Sequence, residues 1–184
     1  MGHFIEICLL PDTEFPTSLL MNALFAKIHR ALAEAGHGEV GVSFPHVQKT
    51  LGDTIRLHGS QVALEQLTSV GWLKGLTDYT HVTVITTVPE NCKHRVVKRV
   101  QAKSSVERMY RRSIKKGWLS EEEAEVKMNA GKDHQLKLPY VQLKSRSTAQ
   151  SFNLFIQQGK VVDSPAPGVF SAYGLSDVAT IPWF

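Results

Sequence analysis

Apolar and polar positions along the first half of the chain switch between two periods. "HFIEICLL" (3–10) reads as a strand that Pro11-Asp12 ends. Over 17–36, Leu20, Leu24, Phe25, Ile28 and Leu32 recur at helical spacing, and Gly36 is the stop signal. "EVGVSF" (39–44) alternates Val40, Val42 and Phe44, and "TIRLHGS" (54–60) alternates Ile55 and Leu57, as half-buried strands do. "SQVALEQLTSVGW" (60–72) opens on a Ser cap and predicts a second helix, and the β-branched "THVTVITTV" (80–88) predicts another strand. After Pro89 a basic stretch intervenes. An acidic helix follows over 120–128, with Ser120 and Glu123 at capping-box spacing. Two strands, 140–145 and 151–156, then flank "RSTAQ" as a β-hairpin, and a Gly-containing tail closes the sequence.

The order βαββαβ predicts an α+β protein whose residues 1–90 form a ferredoxin-like domain, an antiparallel four-stranded sheet with two helices on one face. Residues 91–184 form a smaller C-terminal region with a basic helix over 105–116 and the β-hairpin. The fold hosts many functions and names none. RNA-binding domains of this topology stack bases on sheet aromatics. The third strand offers Ile55, Arg56, Leu57 and His58 instead, so a bare sheet face is a poor candidate for an RNA surface.

Charge changes the picture more than composition does. The formal net charge is only +4, yet residues 93–118 hold ten of the 21 Lys and Arg against one acid, Glu107. The remainder is slightly acidic. Ser104 and Glu107 form a capping box, so a helix starts near Ser105. At ~100° per residue Arg108, Arg111, Arg112 and Lys115 share one face, with Lys116 at its edge. Val106, Tyr110 and Ile114 gather opposite, and Gly117 is a natural stop. A solvated face mixes signs; Arg108–Arg112, Arg111–Lys115 and Arg112–Lys116 are like-charge i,i+4 pairs that repel. The face favours a polyanion, with an ordinary solvated face as the alternative reading. DNA, RNA and anionic lipid all fit at this level, although the apolar side is modest for a membrane helix. Just upstream, Arg99 and Gln101 lie at i,i+2 and point the same way in an extended segment. Arg pairs with guanine and Gln with adenine, but this spacing alone carries little specificity.

The bulk numbers exclude some classes. A 42% apolar content suits a soluble globular protein. No apolar run is long enough to span a bilayer, and no signal-peptide pattern opens the chain. Cys8 and Cys92 lie far apart, so a disulfide framework is not expected and a reducing cytoplasm is. The eight histidines show no HExxH or HxH spacing, and neither a GxSxG elbow nor a P-loop occurs. No metal and no cofactor are expected. RNA cleavage is compatible with that, because the 2′-OH is a built-in nucleophile. It needs a base, a group that holds the ribose and a donor or cation for the phosphate.

His29, at the edge of the buried face of the first helix, is the best-placed base; a boundary residue is the alternative reading. Ser145, Ser147 and Thr148 in "KSRSTAQ" supply hydroxyls beside Lys144 and Arg146, where ordinary turn chemistry is the alternative. Tyr173 in "AYGLS" holds a ring in place or fills core.

Taken together, the chain resembles the type I-F CRISPR RNA endoribonucleases, which cut the repeat hairpin of precursor CRISPR RNA. The resemblance runs nearly end to end. It is carried by "PDTEFP" with "LFAKIHRAL", by "GVSFP", by "RVQAKSSVERMYRR" with "LSEEEA", by "LPYVQLKSRSTAQSFNLFI", and by "YGLS" with the terminal "PWF". It implies a ferredoxin-like N-terminal domain and an arginine-rich helix that enters the major groove of the RNA stem. By motif position it assigns His29 as the catalytic histidine, Ser145 as the holder of the cleavage-site ribose and Tyr173 as a neighbour of the histidine. Arg99 and Gln101 match the readers of the lowest stem pairs, and Phe152 matches an aromatic that stacks under the stem. Arg108, Arg111, Arg112, Lys115 and Lys116 align with the groove-inserting helix, where lysine acts as a point charge rather than a fork. The implied reaction is 2′-OH attack on the adjacent phosphate, leaving a 2′,3′-cyclic phosphate and a 5′-OH without a metal. The product stays bound, and the protein joins the other subunits of the type I-F surveillance complex. Two other readings stay open: a non-catalytic RNA-hairpin-binding subunit with an idle His29, and a transposition-linked protein using the same helix on DNA.

Overall fold

The computed structural model describes residues 1–35, 38–101, 106–124, 136–145 and 147–184, with the backbone only of 106–109. Contacts divide the chain into two compact units: Met1–Val100 with Leu138–Phe184, and Gln101–Lys137. Residues 93–100, at the start of the basic segment, pair with strands nearer the C-terminus and fall in the first unit.

In the first unit, β1 (His3–Leu9), β2 (Gly41–Ser43), β3 (Thr54–Gly59), β4 (Thr80–Val82) and the short β5 (Thr86–Thr87) form one antiparallel sheet. Its order is β2-β3-β1-β4, with β5 also on β1. Helices α1 (Thr17–Ala35) and α2 (Gln61–Ser69) connect the strands. The strand expected over 80–88 is divided because the Thr83 hydroxyl, not a backbone carbonyl, accepts from the Glu6 N–H. Helix α2 opens as expected, with the Ser60 hydroxyl capping Ala63 N–H at 3.1 Å. It stops short of residue 72, and Gly71 turns the chain at φ +62°.

A second antiparallel sheet, order β7-β8-β6-β9, contains β6 (Lys93–Val100), β7 (Tyr140–Lys144), β8 (Ser151–Val162) and β9 (Thr180–Trp183). The hairpin β7–β8 was legible in the sequence. The strand character of β6 and β9 and the extension of β8 beyond Ile156 were not: β6 is rich in charge, β9 contains Pro182 and β8 contains Gly159. Partners account for all three. β6 pairs with β8 from His94↔Val162 to Val100↔Phe155, across a bulge between Arg95 and Val97. β9 is an edge strand, where a proline's missing N–H costs little.

The apolar stripe of α1 serves both sheets. Leu24, Phe25 and Ile28 are fully buried in one cluster that includes Ile7 and Leu57 of the first sheet and Val141 and Leu154 of the second. Burying each such side chain contributes roughly 1.5–3 kcal/mol. The Asn22 amide oxygen also accepts from Gln142 N–H at 2.8 Å, tying α1 to β7.

The other face of the first sheet is not bare. Arg56 is ion-paired with Glu6 at 2.6 Å, and its guanidinium lies 4.0 Å over the ring of Phe184. Phe184 in turn meets Phe4 edge-on at 4.9 Å. The chain's own last residue thus covers the surface on which related topologies stack bases. Among the described residues, no helix is long and apolar enough to cross a membrane.

Candidate active site

Helix α1 carries His29 one residue past the fully buried Ile28, a rotation of ~100° that brings its ring to the edge of the core. There the imidazole meets the loop before β9. His29 Nδ1 lies 2.8 Å from the carbonyl oxygen of Ala172. A carbonyl only accepts, so Nδ1 carries the hydrogen. The neutral ring then presents Nε2 as a proton acceptor.

The neighbouring Tyr173 ring is stacked on His29, with centroids 4.2 Å apart and planes 16° off parallel. Its ring also runs parallel to buried Phe25 at 6.5 Å. The imidazole is therefore fixed by a carbonyl at one nitrogen and by an aromatic ring over one face. The loop that delivers Tyr173 is itself constrained. Gly174 N–H bonds to Ser171 O at 2.8 Å, and the Gly174 carbonyl accepts from Val42 N–H at 2.8 Å. Gly174 has φ +68°, and a Cβ there would sit 2.2 Å from the Val42 Cγ2. Only glycine meets both demands.

Opposite stands the end of β7. Ser145 N–H bonds to Gln150 O at 2.8 Å, and its carbonyl accepts from Ala149 N–H at 2.9 Å. Ala149 closes this turn at φ 55°. Within it the Ser145 hydroxyl lies 3.2 Å from the Ser147 hydroxyl and accepts from Thr148 N–H at 3.3 Å. His29, Ser145, Ser147, Phe152 and Tyr173 line one cleft of about 550 Å³, joined by Arg30 and Lys144. Among the described residues its lining holds two permanent cations and no carboxylate, which suits an anionic backbone. A larger groove of about 640 Å³ around Pro165, Pro167 and Phe170 contains none of the sequence-predicted residues. The sequence-predicted residues gather instead in the smaller cleft. Among the described residues, no three His, Cys, Asp or Glu side chains gather in a cluster able to hold a metal ion.

Arg99, exposed near the end of β6, borders the same site. Its guanidinium carbon is 5.6 Å from the Tyr173 ring centre and 6.0 Å from that of Phe152, at the outer range of cation–π contact.

Residues 4–184 match the family model described as CRISPR-associated protein (Cas_Csy4). The chain belongs to this family. It is 50% identical over 184 residues to the CRISPR-associated endonuclease Cas6/Csy4 of Escherichia coli (strain UTI89 / UPEC), covering all of both chains. It is 42% identical over 187 residues to the CRISPR-associated endonuclease Cas6/Csy4 of Pseudomonas aeruginosa (strain UCBPP-PA14), again covering all of both.

In this Cas_Csy4 family member the remaining sequence-predicted residues belong to the second unit. Gln101 is exposed and begins that unit directly after β6. Helix α3 (Val106–Lys115) carries the exposed Arg111, Arg112 and Lys115, with Lys116 just beyond, while Tyr110 and Ile114 are half-buried. The side chain of Arg108 lies outside the described residues, as does Arg146. The Ser120–Glu123 capping box forms reciprocally. Glu123 N–H donates to the Ser120 hydroxyl at 3.1 Å, and Ser120 N–H donates to the Glu123 carboxylate at 3.1 Å. The helix it opens is described to Ala124. Sequence reasoning missed Arg30, whose only signal was its position beside His29. It also missed the Ala172 carbonyl and Phe25 as supports of the imidazole, since no side-chain pattern marks a backbone acceptor.

Proposed function

We propose that this chain is a metal-independent endoribonuclease that recognises the repeat hairpin of precursor CRISPR RNA and cuts at its base. The observation that carries the reading is the His29 imidazole. It is held with Nδ1 on a carbonyl and its ring on Tyr173, in a cationic cleft that also contains the Ser145 hydroxyl. His29 Nε2 takes the proton of a ribose 2′-OH. The 2′-oxygen attacks the adjacent phosphorus as the bond to the 5′-oxygen breaks. The leaving oxygen takes up a proton, giving a 2′,3′-cyclic phosphate and a 5′-OH. Ser145 holds the ribose so that the attack is in line, and Tyr173 positions the imidazole. Lys144 and Arg30 neutralise charge growing on the phosphate. Ser147 and Thr148 hold the turn and contact the backbone.

Recognition is divided. Phe152 stacks under the lowest stem pair, and Arg99 and Gln101 read base edges there. Arg108, Arg111, Arg112, Lys115 and Lys116 grip stem phosphates. The order β2-β3-β1-β4 with two connecting helices supports a ferredoxin-like reading of residues 1–90, with 91–184 as the hairpin-binding region. The names of the two relatives support the CRISPR setting. The product stays bound, and the protein joins the other type I-F surveillance subunits in the cytoplasm.

One experiment tests the reading. A repeat hairpin is incubated with the protein in EDTA beside the same hairpin carrying a single 2′-deoxy at the cut site. The native hairpin is cut to a cyclic-phosphate end, and the deoxy hairpin is bound and left intact. Cleavage of the deoxy hairpin, or activity restored only by a divalent metal, overturns the mechanism. Binding without cleavage of either RNA leaves only a hairpin-binding subunit.

A further inference from the structure

The basic helix ends in a rigid turn that presents an aromatic ring. Gly117, at φ +71°, donates its N–H to Ile114 O at 2.9 Å, and Trp118 donates to Ser113 O at 2.9 Å. These are the two nested bonds of a Schellman motif, in which the residue after the glycine commonly folds an apolar side chain back onto the last helical turn. Trp118 instead remains 70% exposed, more than any other aromatic side chain among the described residues.

The other exposed aromatics have ring partners: Phe15 meets Tyr79 at 5.7 Å, Tyr140 meets Phe155 at 5.4 Å and Phe184 meets Phe4 at 4.9 Å. Trp118 holds a cation, with the Lys116 ammonium 4.5 Å from its ring centre. An indole fixed at the end of a row of exposed cations, with an ammonium beside it, joins the two elements of a single-stranded nucleic-acid site. The ring offers a π-face to a base, and the lysine offers a charge to that base's phosphate. The Lys116 ammonium at the ring and the exposed Arg112 and Lys115 in the last turn of the same helix disfavour an apolar protein surface as the occupant.

This inference rests on the proposed RNA-hairpin reading and adds a contact to it. Inside a stem both faces of every base are covered, so an added ring reaches an unpaired base or an end of the stem. The base of the stem is taken by Phe152 in that reading. We propose that Trp118 is a stacking platform for an unpaired base of the hairpin loop.

The test compares two uncleavable repeat hairpins, each 2′-deoxy at the cut site: one with its natural loop and one whose loop is a non-nucleotide linker. Binding is measured for the full chain and for Trp118→Ala and Trp118→Phe. Trp118→Ala is expected to weaken the natural-loop hairpin about tenfold, within the range for one base–aromatic stack, and the linker hairpin less than twofold. Trp118→Phe recovers most of the loss. 2-Aminopurine at one loop position is quenched on binding the wild-type chain and not on binding Trp118→Ala. Equal losses on both hairpins mean that the indole acts through the helix or the stem, and overturn the proposal. Unchanged binding to both hairpins overturns it too. A wild-type chain that binds neither hairpin overturns the hairpin reading itself, and this inference with it.

Discussion

The imidazole of His29 lies 4.2 Å from the ring of Tyr173 and nearly parallel to it, while its Nδ1 is hydrogen-bonded to the carbonyl of Ala172 one residue earlier. A single loop therefore sets both the tilt and the tautomer of the candidate base. His29→Ala is expected to bind an uncleavable hairpin nearly as well as wild type and to cut the native one about 10²–10⁴-fold more slowly. Tyr173→Phe keeps the stack and loses little; Tyr173→Ala loses it and slows cutting by about 10-fold to 10²-fold through misplacement of the ring. Single-turnover rates against binding constants read the difference. A folded His29→Ala protein cutting at the wild-type rate returns His29 to a boundary role.

Ser145 presents its hydroxyl from a turn closed by two backbone bonds and by Thr148 N–H. Ser145→Ala removes the hydroxyl and leaves the backbone bonds. Its cutting rate is expected to fall at least tenfold because the ribose loses its in-line orientation, with affinity changed much less. Equal losses of rate and affinity in a titration would mean that the hydroxyl contributes to binding alone.

In the proposed reading, grip and readout separate by residue. Arg112→Ala and Lys115→Ala each delete a phosphate neutraliser and are expected to weaken all hairpins alike, each lowering the salt slope by about one unit. Arg99→Ala and Gln101→Ala are expected to relax discrimination at the lowest stem pairs, by about 1–3 kcal/mol for a good bidentate contact. Binding of matched and stem-base-substituted hairpins over a salt series distinguishes the two classes. If every variant loses affinity without selectivity, the division fails.

His58 predicts how stability depends on pH. It is fully buried on β3, with Nε2 2.9 Å from the Ser43 hydroxyl and no partner at Nδ1 among the described residues. Burial first, and then the positive charges of Arg56 and the N-terminus, push its pKa down to about 3. The unfolded chain, with a histidine near its ordinary value of about 6.5, binds the extra proton first. Stability is thus fully present above pH 6.5 and falls as the pH drops toward 3. By pH 5 this one residue removes about 2 kcal/mol. Denaturant melts of wild type and His58→Leu at pH 7.5 and 5 check it: the wild type should lose more stability between the two pH values than the variant does.

The N-terminal half was legible because its elements are local. Periods of two and of 3.6 residues identify β1, α1, β3 and α2 without knowledge of what they touch. The Ser120–Glu123 capping box and the Gly117 stop are likewise encoded within a few residues; the Ser104–Glu107 box lies outside the described residues. The resemblance carried by separated motifs pointed to the family. Other features depended on partners distant in sequence. The stretch "KHRVVKRV" is a strand because β8 and β9 satisfy its backbone, and a pattern rich in charge does not announce a strand held between two others. The candidate site is the extreme case: its imidazole is oriented by a carbonyl 143 residues away. Backbone acceptors leave no mark in a sequence, so only the packing of α1, β7 and the Gly174 loop against one core decided that His29, Tyr173 and Ser145 share a cleft.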